Sequence, residues 1–320
     1  MAIKNDVAAL LEQHRGTAVS GQELADTLGV SRAAVWKAIK QLQQEGYRIS
    51  AATNRGYILG QDTDVLTEAG IRLYLPEKYC DVPVEVFRSV DSTNNAAKAA
   101  ALRGAPHGTI IAADGQTAGR GRFGKSFYSP AGTGLYMSVI LKPHKPLSDC
   151  PFITMAGAAA LVEGIERICG ISLGIKWVND IFFRGKKIAG ILTEAISDFE
   201  SGIAETVIVG MGINISTSDF PEDIAGLAGS LGVFTERSRL CAEVASLLLD
   251  YSNSGDRTAL LEIYRRRSIL PGREITFLQN GTIRKGRAAE IDSDGCLVVE
   301  TADGREVLRA GEVSVIGGFS

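Results

Sequence analysis

Between Gly119 and Gly124 the chain reads Gly-Arg-Gly-Arg-Phe-Gly. Glycines let backbone N–H groups come close to a ligand. The planar guanidinium fork matches carboxylate and phosphate oxygens. Such a loop suits an anion, although the same composition also makes a plain solvated loop. Four further stretches carry chemistry-bearing side chains: Asp91-Ser-Thr-Asn94, Gln116, Lys176-Trp-Val-Asn-Asp180 with Lys187 beyond it, and Gly210-Met-Gly-Ile-Asn214. Each has a bland reading beside the functional one. Ser92, Thr93 and Asn94 sit where a strand passes into a helix and could cap it. Lys176 to Asp180 could be a polar turn, Lys187 a solvated strand entrance, and Gly210 to Asn214 a bulge.

Patterning predicts the elements that would position these groups. Val84–Phe87, Thr109–Ala113, Leu135–Leu141, Lys187–Glu194 and Thr206–Gly210 read as strands, the last two as a pair. Gly174–Trp177 reads as short and extended. Residues 95–102, 151–168, 239–252 and 258–267 read as helices. This mixture predicts an α+β domain with one mixed sheet over 64–270. Beyond it, 271–320 holds short strands joined by turns such as Asp294-Gly295 and Asp303-Gly304, as in a small SH3-like β-barrel.

Residues 1–63 read as a separate module. Ser20-Gly-Gln-Glu23 is a capping box opening a second helix, and Leu28-Gly-Val30 is a tight turn. Ser31 then caps a third helix, Arg32 to about Glu45, with Val35, Ile39 and Leu42 on one buried stripe. That is helix–turn–helix spacing, and 47–59 resembles the β-hairpin wing of a winged helix. Residues 1–60 carry seven Lys/Arg against five Asp/Glu. Ser31, Arg32, Ala33, Trp36, Lys37, Lys40 and Arg55 are the candidate DNA contacts. A winged helix used for protein contact is the alternative, and Trp36 could equally be a core or subunit contact.

The whole chain of 320 residues has a net charge of −3, so any nucleic-acid contact must come from a local patch. The five cysteines lie far apart, which argues against structural zinc and fits reduced thiols in a cytoplasmic protein. No apolar run reaches membrane-spanning length.

The motifs Asp91–Asn94, Gln116–Arg122, Ser129-Pro130, Lys176–Asp180, Lys187–Ile191 and Gly210–Asn214 follow one another in an order that resembles the biotin protein ligases, specifically the bifunctional bacterial kind that also represses biotin genes. The resemblance covers nearly the whole chain. It implies an ATP-dependent, AMP-forming biotin–[acetyl-CoA-carboxylase] ligase. Biotin and ATP would give biotinyl-5′-AMP, and the biotinyl group would pass to one lysine of the biotin carboxyl carrier protein of acetyl-CoA carboxylase. Operator DNA, Mg²⁺ with the ATP, and a ligand-bound homodimer are implied with it.

By the same resemblance Ser92, Thr93, Asn94, Gln116, Arg120, Gly121, Arg122 and Lys187 would serve biotin. Lys176, Asn179, Asp180, Gly212 and Asn214 would serve ATP. Arg122, Lys176 and Lys187 would be the catalytic cations. Two departures stand out: Phe123 where some relatives carry an arginine, and Val178 where a proline is common, a change expected to loosen that turn. A biotin-sensing regulator without ligase activity is the alternative, and the retention of both lysines argues against it. A ligase with a vestigial N-terminal module and a lipoate ligase relative complete the options.

Overall fold

The computed structural model describes residues 3–52, 55–197, 202–279 and 282–319. In the N-terminal module, helices α1 (Ile3–Gln13), α2 (Gly21–Leu28) and α3 (Arg32–Gln44) pack beside a small sheet. The sheet joins β1 (Ala18–Val19), β2 (Ile49–Ala52) and β3 (Gly56–Leu59) in the order β1-β3-β2. Both expected caps form. Ser20 Oγ accepts from the Glu23 amide at 2.9 Å and Ser31 Oγ from the Ala34 amide at 3.2 Å, each filling one orphan donor of a helix start. Val35, Ala38, Ile39 and Leu42 of α3 are buried with Val7, Leu11 and Leu24. The wing is present as β2 and β3, and its tip at 53–54 lies outside the described residues.

The central unit starts with α4 (Glu68–Tyr74), absent from the sequence reading, then β4 (Val84–Phe87), α5 (Thr93–Leu102) and β5 (Ile110–Ala113). β6 (Gly134–Leu141) and the short β7 (Lys145–Pro146) lead to the long helix α6 (Cys150–Cys169). β8 (Gly174–Lys176), β9 (Asp180–Phe183), β10 (Lys186–Ser197) and β11 (Ile203–Asn214) follow, then α7 (Glu222–Ala225), α8 (Arg237–Ser254) and α9 (Arg257–Arg267). The strands form one sheet in the order β4-β5-β6-β11-β10-β9-β8, with β7 on β11. Among the described strands only β4 and β5 run parallel, joined by α5 as a βαβ unit, so the sheet is mixed as expected.

Strand alternation sorts the two faces. Ile110, Val139, Leu141, Val207 and Val209 join the main core with α6 and α8, while Ile111, Ile140 and Ile208 meet Ala97 and Ala100 of α5. Covered on both sides, β6 is buried along its whole length, which explains its nearly unbroken apolar run.

The C-terminal piece is a five-stranded antiparallel sheet, β15-β14-β13-β12-β16. Its strands are β12 (Glu274–Gln279), β13 (Thr282–Ile291), β14 (Leu297–Thr301), β15 (Gly304–Leu308) and β16 (Val313–Val315), the last one unforeseen. Ile275, Phe277, Leu297 and Val299 belong to the same buried cluster as the central unit, so this piece is packed onto that unit rather than hung from it.

Charged groups fasten the linker between the first two units. Arg15 at the end of α1 donates to the carbonyls of Gly60 and Thr63, and its Nε lies 3.7 Å from Glu236. Arg237, only 4% exposed, is the central rivet. Its Nε binds Asp64 of the linker at 2.6 Å, and its Nη1 binds both Asp114 and the Gly134 carbonyl. A buried guanidinium is tolerated because two carboxylates and the carbonyls of Gly134 and Asp64 replace its water. Replacing it without removing Asp64 and Asp114 leaves two anions facing each other. Arg237→Met is therefore expected to lower the unfolding free energy by about 3 kcal/mol and to expose the 60–66 linker to protease. Urea denaturation and limited proteolysis check both, and an unchanged midpoint would refute the rivet.

Candidate active site

The site is a cavity of about 610 Å³ lying over β10 and β11. Its floor requires strands without side chains. A Cβ on Gly210 would sit 2.0 Å from Asn94 Oδ1, and one on Gly212 would sit 2.6 Å from the Phe127 ring. The glycines thus mark close approach, not a bulge: β11 pairs with β6 and β10 in continuous register past both positions. Walls come from the start of α5, the Gly119–Gly124 loop, the 176–187 segment and the C-terminal piece.

One end is uncharged. Ser92 is the N-cap residue of α5, yet its hydroxyl makes no capping bond and lines the cavity. The Thr93 amide donates to Gln116 Oε1 at 2.8 Å, and Gln116 Nε2 donates to Ser129 Oγ at 2.9 Å. Asn94 also lines the wall, but its amide is engaged: Nδ2 donates to the Leu192 carbonyl and to Glu194 Oε2 at 2.7 Å, and Oδ1 accepts from Ser138. Asn94 braces the pocket rather than offering free polar atoms to it.

The other end is cationic. Lys187 Nζ lies 2.6 Å from Asp180 Oδ1. Lys176 stands opposite Asp180 in the β8–β9 pairing, with its ammonium 5.7 Å from the Phe182 ring centre. Burial holds the Lys176 pKa below the ordinary lysine value, against the pull of the Asp180 carboxylate and with the help of Lys187. Asn179 Nδ2 is fixed by the Ile191 carbonyl at 2.7 Å, leaving Oδ1 to receive Arg122 Nη1 at 3.3 Å. The turn with Val178 is tied on both sides. Trp177 Nε1 donates to the Gly295 carbonyl at 3.0 Å and Tyr264 Oη to the Val178 carbonyl at 2.9 Å.

The Gly/Arg loop spans both ends, Arg122 reaching the cationic one and Arg120 the side of α5. Arg122 also donates to the Gly311 carbonyl, so the loop touches the C-terminal piece. Arg120 donates to Asn95 Oδ1 at 2.5 Å and lies 3.7 Å from Glu194. Phe123 is 67% exposed, with the Arg122 guanidinium 4.9 Å from its ring centre.

All the candidate site residues line this one cavity except Asn214. Asn214 is buried at the end of β11, where Nδ2 donates to the Gly229 carbonyl and Oδ1 has no hydrogen-bond partner among the described residues. Sequence reasoning missed Phe127, Gly311–Val315, Phe319 and, beneath the wall, Ser138. Only Ser138 left a signal, as the one polar residue in an otherwise apolar strand.

On the N-terminal module Ser31, Arg32, Ala33, Trp36, Lys37 and Lys40 are all exposed along α3, and Arg55 is exposed at the wing. Trp36 is 56% exposed, so it is not a core residue. Gln43, further along the same helix, ties α3 to the wing through the Ile49 carbonyl at 2.7 Å.

Comparison with known proteins follows the same division. Residues 4–58 match a family described as HTH domain, 86–214 the Biotin/lipoate A/B protein ligase family, and 272–315 the Biotin protein ligase C terminal domain. The Bifunctional ligase/repressor BirA of Bacillus subtilis is 35% identical over 98% of both chains. A Biotin--[acetyl-CoA-carboxylase] ligase of Mycobacterium tuberculosis is 30% identical over 72% of this chain and 88% of its own. The biotin protein ligase from Aquifex aeolicus in complex with biotin and ATP superposes with a TM-score of 0.63 at 27% identity, covering 73% of this chain and 98% of that one. With the helix–turn–helix, the ligase core and the C-terminal piece all matched in one relative of nearly equal length, this chain belongs to the bifunctional biotin protein ligase/repressors.

Proposed function

We propose that the cavity makes biotinyl-5′-AMP from biotin and ATP, and that the biotinyl group then passes to one lysine of a biotin carboxyl carrier protein. The observation that carries this reading is the polarity of the cavity. Uncharged donors and acceptors gather around Gln116, and Lys176, Lys187 and Arg122 around Asp180 and Asn179. A neutral ureido ring needs the first, and two approaching anions need the second.

In this reading Ser92, Thr93 and Gln116 face the ureido group, with Asn94 behind them. Lys187 and Arg120 take the biotin carboxylate, and Lys176 and Arg122 the α-phosphate. A carboxylate oxygen of biotin attacks the α-phosphorus, the bond to the β-phosphate oxygen breaks, and pyrophosphate leaves. The neutral amine of the carrier lysine then attacks the acyl carbon, and AMP leaves. No side chain of this protein acts as a nucleophile, so catalysis rests on orientation and charge compensation. Lys187, held by Asp180, is placed before substrate arrives and needs little reordering.

Among the described residues no group of three His, Cys, Asp or Glu could hold a metal ion. Mg²⁺ would therefore arrive with the ATP phosphates, where it offsets their charge, and Asp180 is the carboxylate between the two lysines that could meet it. Asn214 would contribute only from behind Gly212. The Gly119–Gly124 loop would keep water from the mixed anhydride.

The same ligand would govern DNA binding. α3 would enter the major groove of operator DNA, with Arg55 on the backbone, and a ligand-bound homodimer would match paired half-sites. The exposed basic face of α3 favours this over a regulator's protein contact.

Purified protein with biotin, Mg-ATP and an apo carrier domain should yield covalently biotinylated carrier. The absence of both carrier labelling and pyrophosphate release would sink the ligase reading. Arg122→Gly, which removes the tie to Asn179 and Gly311, should release the adenylate and label bystander lysines, and unaltered selectivity would refute that role.

Lys176 should lose its charge at lower pH than an ordinary lysine. The KM for ATP should accordingly rise with pH before the usual lysine range, and Lys176→Arg, charged throughout, should flatten that rise. A rise that persists in the arginine variant assigns it to another group. Lys37→Ala should weaken operator binding, and non-operator binding alike, lowering the slope of log K against log salt by about 1. An unchanged slope excludes a phosphate contact.

A further inference from the structure

A second cavity, of about 240 Å³, opens on the other face of the sheet and shares no lining residue with the first. Leu141, at the end of β6, packs toward α6 and α8, whereas Ser138 and Gly210 face Asn94 and the first cavity. Leu141, Ala156 of α6 and Leu260 of α9 are buried beneath the second cavity, with Phe152 and Ile153 beside them, so its floor is apolar.

Its rim is cationic. Lys142 and Lys145 both line it, and neither has a carboxylate partner among the described residues. Between them His144 has φ 47°, in the left-handed region that a residue other than glycine adopts only where its surroundings hold it. Arg257 is the third cation, paired with Asp149 and 4.4 Å from the Phe152 ring centre. Both carboxylates on the wall are engaged. Asp149 holds Arg257, and Asp256 Oδ1 caps α9 by accepting the Thr258 and Ala259 amides at 3.1 and 3.0 Å. The Tyr251 hydroxyl is engaged as well, donating to Glu163.

Two neutral donors are left over. The Lys142 amide donates to His107 Nδ1 at 3.1 Å, so the imidazole carries its hydrogen on Nε2. Burial, with the Lys142 charge, holds the His107 pKa below the ordinary value against the pull of Asn253, which favours the neutral ring. His107 Nε2 and Ser252 Oγ are buried without a hydrogen-bond partner among the described residues, and both residues line this cavity. A buried donor without an acceptor is costly, so two of them in one small space call for an acceptor there.

We infer that this cavity is a second ligand site, which takes a small amphipathic anion: an aliphatic monocarboxylate. Its head accepts from His107 and Ser252 between the charges of Lys142 and Lys145, and its chain lies on Leu141, Ile153 and Leu260. A carboxylate suits every one of these groups, because it only accepts, offers two oxygens and leaves the chain free to cover the floor. An amine in its place would meet three like charges and no free carboxylate.

The probe is hexanoate, with hexanol, hexylamine and acetate as comparators, followed by NMR on the full chain with nitrogen-labelled histidine. The chain has three histidines, and His107→Gln identifies which ring signals belong to His107. Hexanoate should shift the His107 ring and bind roughly tenfold more tightly than hexanol, the contribution of one hydrogen bond to a charged group. Hexylamine should bind more weakly than hexanol. Acetate, which has the head without the chain, should bind roughly tenfold more weakly than hexanoate. Lys145→Gln should weaken hexanoate roughly tenfold and leave hexanol unchanged. Because an aliphatic carboxylate also resembles the tail of biotin, the titration is repeated with saturating biotin, which should change nothing.

Hexanoate that biotin displaces belongs to the first cavity and overturns the inference. So does binding that leaves the His107 ring unshifted, or that is no tighter than the binding of hexanol or of acetate. These comparisons use the wild type alone and decide the question even if Lys145→Gln fails to fold.

Discussion

Strand β11 has to cross the bottom of the cavity without side chains, and the arrangement of the site depends on that. Because Gly210 carries none, Asn94 can lie flat against the sheet; because Gly212 carries none, the Phe127 ring can. Asn94 then holds the start of α5, and Phe127 the loop that returns from Gly119–Gly124 toward Ser129. Two sides of the pocket therefore close on one stretch of backbone. A side chain at either glycine would push apart groups that must meet across a single small ring system. Rigidity beneath the stretch comes from its neighbours: β6 and β10 pair with it on both sides, and α6 packs Gly157 against Val209.

Electrostatics divides the cavity further. Lys176 and Lys187 approach the same carboxylate, Asp180, from β8 and β10. Burial penalises the Lys176 charge and the like charge of Lys187 adds to that penalty, against the pull of Asp180, which is why Lys176 holds its proton less firmly than a free lysine. An anion entering between them relieves both strains. The site is thus arranged for charge that arrives with substrate rather than for charge already present. At the far end the polar groups are neutral and already joined in a hydrogen-bonded row, so their orientation is set before any ligand enters.

The three units are coupled by a few polar contacts superimposed on apolar packing. Arg237 joins the linker at Asp64 to Asp114, two residues before Gln116. Arg122 joins the loop to Gly311 of the C-terminal piece, and Trp177 joins the 176–180 turn to Gly295. The cavity wall is therefore connected to the DNA-binding module on one side and the C-terminal sheet on the other.

Local signals carried much of this. Capping serines fix the starts of α2 and α3 because their partners lie three residues on. The apolar stripe of α3 and the unbroken strands β6 and β11 report their burial directly, since periodicity follows backbone geometry. The order of short motifs likewise pointed to a ligase before any contact was known, and nearly every residue it named lines the cavity. What the sequence could not determine were contacts between distant residues. Val313–Val315 pairs with Phe277 and Ile275, and Gly311 meets Arg122, across separations that leave no local trace. Asn94 and Asn214 have the composition of ligand groups, yet the folded chain engages the first in the wall and buries the second beyond it. Ser138 shows the limit most sharply. Its polarity inside an apolar strand is visible in one dimension, but which oxygen receives its hydrogen depends on Asn94, Glu194 and Leu192, brought together only by the sheet. Residue types determined what chemistry was available; tertiary packing decided the direction of each hydrogen bond, because direction depends on what stands on the other side.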